Sequence, residues 1–136
     1  MSLIDTKELI MIADEDFESA KFLTQMHPTP LEIICFLCSQ SIEKYLKSFL
    51  LFNEIIPNKT HNLNELLRDC KNIHQTFSDI DYECRIINKH AHETRYTRFK
   101  NNISESDMKY ALKATEKVKS LEIFNHIREQ IKDIDF

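Results

Sequence analysis

Apolar residues recur every three or four positions from near the start of the chain. Ile10, Ala13, Phe17, Ala20 and Leu23 make one helical stripe, which predicts a first helix over about residues 3–26. Asp14, Glu15, Asp16 and Glu18 crowd the same turns, and most of them are expected to face water. His27, Pro28 and Thr29 break the pattern. Thr29 as N-cap, Pro30 at the first helical position and Glu32 as reciprocal partner predict a second helix from Leu31 to Phe52. Its opening run of Ile33, Ile34, Cys35, Phe36 and Leu37 leaves no solvent face, which places this helix centrally and Leu37 in the core.

Residues 53–59, with Pro57, form the next break. Asn62 can cap a short third helix, with Glu65 three residues on and Leu66 and Leu67 behind it. Residues 71–76 are polar and read as a loop. A fourth helix is expected over about residues 78–92, burying Ile80, Cys84, Ile87 and Ala91, and a loop over 93–103 follows. Ser104 and Asp107 make a capping box, with Ile103 and Met108 at the positions of a hydrophobic staple. The last helix is expected to run to about residue 131 through Ala111, Ala114, Val118, Leu121 and Ile127. The pattern predicts an all-α, up-and-down bundle of four long helices and one short one, with residues 1–136 as one domain.

Composition agrees with that reading. A chain of 136 residues can bury roughly two-thirds of the surface it exposes when unfolded. It contains no Gly and only three Pro. Tight β-turns commonly require Gly, so helices joined by short loops are favoured. The absence of Gly also excludes Gly-rich phosphate loops and dinucleotide fingerprints. The net charge of −4 counts against broad phosphate neutralisation on duplex DNA. Charged residues interrupt the N-terminus before a signal sequence could form, and no apolar run reaches the roughly 18 residues that span a bilayer. A cytoplasmic protein with reduced thiols at Cys35, Cys38, Cys70 and Cys84 is expected.

The most informative stretch for chemistry is RIINKHAHETRYTRFK, residues 85–100. Arg85, Lys89, Arg95, Arg98 and Lys100 face one acid, Glu93, so the segment is strongly cationic within an acidic chain. Such asymmetry can focus an anionic ligand, although a solvated helix end is the plainer alternative. Arg85 can hold a phosphate bidentately, and His90 or His92 can exchange a proton near neutral pH. Tyr96 is either a base-stacking platform or an anchor for the loop. On the second helix, Gln40, Glu43, Lys44 and Lys47 form a polar strip, read as structural or as the wall of a nucleotide site. Cys35-x-x-Cys38 sits in an apolar helix without a second ligand pair, so both are expected to be core thiols. No metal and no cofactor is called for.

Gln40-x-x-Glu43-Lys44-x-x-Lys47, then Thr60-His61-x-Leu63, then Thr94-Arg95-Tyr96 resemble the pattern of small prokaryotic HEPN domain proteins, over about residues 8–125. The resemblance implies a helical bundle like the substrate-binding domain of nucleotidyltransferases. It also implies a homodimer, and a neighbouring minimal nucleotidyltransferase as partner in a toxin–antitoxin-like pair. This chain would then be the nucleotide-binding or adaptor subunit, with Arg85, Lys89, Arg95, Tyr96 and Lys44 contacting the nucleotide or RNA. Many members are metal-independent endoribonucleases with Arg, four to six residues, then His. Arg85-x4-His90 and Arg85-x6-His92 both fit that spacing, so an RNA-cleaving toxin with Arg85, His90 and His92 as catalytic residues is an alternative. Ile86 stands where such members commonly carry a polar residue, and His92 where many carry Tyr. A non-catalytic interaction module is the third reading.

Overall fold

The computed structural model describes residues 2–96 and 103–136, except for the side chains of Ser2 and residues 91–96. The described residues form six α-helices and no strand: α1 (Ser2–Leu23), α2 (Leu31–Phe52), α3 (Leu63–Lys71), α4 (Asp81–Tyr96), α5 (Glu105–Lys119) and α6 (Glu122–Ile131). A short 3-10 helix, Gln75–Ile80, leads into α4. None of these helices is long and apolar enough to cross a membrane.

The α1 stripe is buried as its spacing requires. Ile10, Ala13, Phe17 and Ala20 are all in the core, and Leu23 packs at its edge. Ser41 donates its hydroxyl to the Ala13 carbonyl (2.8 Å), tying α2 to the same face. As its apolar run implies, α2 is central and contacts every other α-helix. Leu37 is an exception, because it is only half-buried at the edge of the core, and Ile33 is exposed. Ile34, Cys35, Cys38, Ile42, Tyr45 and Leu46 carry the buried side instead.

The acids of α1 divide. Glu15 and Glu18 face water. Asp16 instead takes the Lys44 ammonium of α2 (2.7 Å). Asp14 accepts both guanidinium nitrogens of Arg128 from α6 (2.8 and 2.7 Å) and the Tyr45 hydroxyl from α2. Burial pushes the Asp14 carboxyl up, but donation from Arg128 and Tyr45, with the guanidinium charge, outweighs it and leaves the group below the usual carboxylate range. The contact therefore stabilises the fold above the unfolded pKa of about 4 and is lost as pH falls through the lower folded value. The stability gap between wild type and Asp14→Asn should be constant from pH 7 to 5 and should close on further acidification, as read from thermal melts. A gap that widens in acid would contradict the assignment.

One helix start differs from the sequence pattern and two agree with it. Thr29 does not cap α2: its hydroxyl donates back to the Met26 carbonyl (3.0 Å), and Pro30 occupies the cap position without a side-chain bond. Asn62 does cap α3, accepting from the backbone of Asn64 and Glu65. The Ser104–Asp107 capping box forms as expected, with Met108 buried and Ile103 packed beside the core. The end of α2 is closed without Gly. Glu54 takes φ 61°, Ile55 N–H reaches the Leu50 carbonyl, and Glu54 N–H reaches that of Leu51. This is the Schellman pattern, with Glu in the left-handed place.

The expected last helix is two helices. On a continuous helix Phe124 would lie about 120° from the Ala111–Ala114–Val118 stripe. The break at Ser120 and Leu121 re-aims Phe124, Ile127 and Ile131 into the core. Phe124 then meets Tyr45 (ring centroids 5.4 Å apart) and Phe77 (6.1 Å), and Phe77 meets Phe49 (4.5 Å). Phe77 comes from the 3-10 helix Gln75–Ile80, which begins inside the polar run 71–76 expected as loop. Residues 93–96 of the expected loop over 93–103 belong instead to α4, which continues through residue 96.

Candidate nucleotide-binding face on the fourth helix

The register of α4 follows from what it buries. Cys84 and Ile87 point into the core, together with Ile80 just before the helix. Asn88 turns towards α3, where its side-chain carbonyl accepts the Leu63 N–H (2.8 Å). Glu83 turns towards α5 and pairs with Lys117 (3.0 Å). That leaves Tyr82, Arg85 and Lys89, all exposed, within an arc of about 60° on the outer side.

Arg85 is loosely held. Its side chain is 59% exposed and lies 3.5 Å from Asp81, which also takes the Lys71 ammonium. A surface pair of this kind contributes little and leaves the guanidinium free to exchange partners. Arg85 also rests on the Tyr82 ring, 5.6 Å from its centroid. His90 points elsewhere. It is half-buried, and its Nδ1 is enclosed without a hydrogen-bond partner among the described residues. It lies near the start of α5. The Asp107 carboxyl there is held below the usual range, first by the Ser104 backbone N–H and more weakly by His90.

The polar strip of α2 divides between two neighbours. Lys44 faces α1 through Asp16, with Gln40 accepting from it as well (3.3 Å). Glu43, only 4% exposed, faces the loop before α3. Its carboxylate takes Lys47 (3.0 Å) and the Nδ1 of His61 (3.0 and 3.2 Å).

Residues 6–127 match the family model of the HEPN domain. The chain belongs to the HEPN domain family. No curated relative and no solved structure matches it.

In this HEPN chain the residues singled out from sequence fall into three groups. Arg85 and Lys89 share the open face of α4. His90 is half-buried and off that face, and Lys44 is turned to α1. The side chains of His92, Arg95 and Tyr96 lie outside the described residues, as do Arg98 and Lys100. All four cysteines are buried and unpaired. Burial pushes the Cys35 and Cys84 thiols up to about 12 and Cys38 up to about 11, so these are core thiols with little nucleophilic character. Two contacts escaped the sequence reading. The Glu43–Lys47 spacing showed in the sequence, but its closure by His61 depends on the path of a loop. Tyr82 and Tyr110 pair across α4 and α5 (6.3 Å between centroids) without any local motif.

Proposed function

We propose that this HEPN protein is a nucleotide- or RNA-binding subunit that works as a homodimer beside a minimal nucleotidyltransferase, in a toxin–antitoxin-like pair. The outer face of α4 receives the phosphate. The observation that carries this reading is the presentation of Arg85 and Lys89 together on an open helical face, at the start of a cationic segment in a chain of net charge −4. A weakly engaged Arg can leave Asp81 for a phosphate at little cost, and its planar fork suits two phosphate oxygens. The helix runs on through positions 95 and 96, so the Thr94-Arg95-Tyr96 motif extends the same element.

For the Arg85–His90 pair the geometry favours binding over cleavage. Cleavage by Arg85 and His90 needs guanidinium and imidazole to reach one phosphate. Within one chain Arg85 faces outward, whereas His90 is half-buried and lies about 140° around the helix from it.

Fluorescence anisotropy with a labelled single-stranded RNA tests the reading. Arg85→Ala is expected to weaken binding roughly three- to tenfold, the scale of one ordinary net hydrogen bond. Its melting curve should stay close to that of wild type, because the Asp81 pair is exposed. A nucleotidyltransferase encoded beside the protein is expected to co-purify with it. Failure of wild type to bind RNA or nucleotide, or an Arg85→Ala isotherm that overlays it, would overturn the proposal.

A further inference from the structure

Beside the Arg85 face, α4 and α5 present an aromatic pair with a polar hollow behind it. Tyr82 is 56% exposed. It stands nearly perpendicular to Tyr110 of α5, at an interplanar angle of 84°. Tyr110 in turn lines a hollow of about 530 Å³ with Glu105, Ser106, Lys109 and Lys113. That volume is in the range of small-ligand pockets. The Tyr110 hydroxyl is enclosed, yet among the described residues it has no hydrogen-bond partner. An enclosed hydroxyl without a partner is costly in a native fold, and a small shift of the ring toward the hollow would let a ligand group complete it. Burial pushes this hydroxyl above its ordinary pKa, so it remains a proton donor at neutral pH. Lys113 is exposed and has no ion pair among the described residues, whereas Lys109 reaches only Glu105, at 3.6 Å.

We infer that Tyr82 and Tyr110, flanked by Arg85 and Lys113, form a site for one ribonucleotide unit, with its base stacked on Tyr82 and an oxygen of its sugar or phosphate taking the Tyr110 hydroxyl. This rests on the reading of α4 as the phosphate-receiving face and adds the group that recognises the base. Arg85 now lies over Tyr82, the place a base would take. Because Asp81 holds it only weakly, Arg85 can move aside to a phosphate as the base arrives. Stacking on tyrosine tolerates any base, so the site selects a nucleotide unit rather than a sequence.

The same chemistry is offered by a free nucleotide and by a single RNA strand, and two arms separate them. Calorimetry with AMP reads the first, and anisotropy with a labelled single-stranded RNA reads the second. Tyr82→Ala is expected to weaken binding in at least one arm by about fivefold or more, the lower end for loss of one stacked base. Tyr82→Phe should keep wild-type affinity, and Tyr110→Phe should lose a smaller factor. Dependence on Tyr82 with AMP assigns the site to free nucleotide, and dependence with RNA alone assigns it to the strand. If Tyr82→Ala binds both ligands as wild type while Arg85→Ala does not, the stacking site falls and the phosphate face stands. Equal losses in Tyr82→Ala and Tyr82→Phe would also overturn it, because the ring would not be the contact. No binding by wild type in either arm would overturn both.

Discussion

Phe124→Ala is expected to lower the free energy of unfolding by roughly 3–5 kcal/mol, a large share of a small domain's stability. Phe124 is fully buried between Tyr45 of α2 and Phe77 of the 3-10 helix. It is also the residue that the break between α5 and α6 serves to aim inward. Truncation would remove the apolar area and the ring contacts and would leave a cavity bounded by three elements, which cannot all collapse into it. Urea unfolding with an unchanged m-value would report the loss as a lower midpoint. Leu37→Ala provides the contrast, since Leu37 is half-buried and should cost distinctly less. Similar losses in the two variants would contradict the assignment of the aromatic cluster as the centre of the core.

Glu43→Ala is the second large effect, at roughly 2–4 kcal/mol, discounted from the cost of breaking a fully buried pair. The carboxylate is almost wholly buried and accepts from both Lys47 and His61. Its removal leaves the Lys47 ammonium, with only 18% of the side chain exposed, without its counter-ion. The loop carrying His61 would also lose its anchor on α2, just before α3 begins. Amide exchange should therefore quicken at the start of α3 more than along α1. Unchanged exchange at Leu63 to Leu66 would show that the loop is held by other contacts, such as that of Asn88 with the Leu63 N–H.

The helices were legible in the sequence wherever local rules decide them. The stripes of α1 and α4, the Asn62 cap and the Ser104 capping box needed only spacing and side-chain chemistry. What escaped was set by tertiary geometry. The Ser120 break cannot be read from Val118 and Leu121, which continue the stripe, and it becomes necessary only because Phe124 must reach Phe77. The role of Thr29 as cap failed because a neighbouring carbonyl, that of Met26, competed for the same hydroxyl. Asp14 and Asp16 looked like solvated acids until α2 and α6 brought Lys44, Tyr45 and Arg128 to them.

The candidate site was legible to a similar degree. Charge asymmetry singled out Arg85 and Lys89, and helical phase places both on the open side of α4. The same phase, about 140° between Arg85 and His90 on an ideal helix, separates the two residues that the Arg-x4-His spacing joins on paper. Tyr82 lies outside the cationic run, and Tyr110 lies on another helix, so no linear pattern could have linked them.

The most direct measurement is the salt dependence of single-stranded RNA binding by wild type and by Arg85→Ala. A phosphate held by Arg85 should make the variant weaker at low salt and its log–log salt slope shallower by about 0.7, the value for one contact to a single strand. Isotherms that coincide at every salt concentration would contradict a phosphate-receiving face on α4.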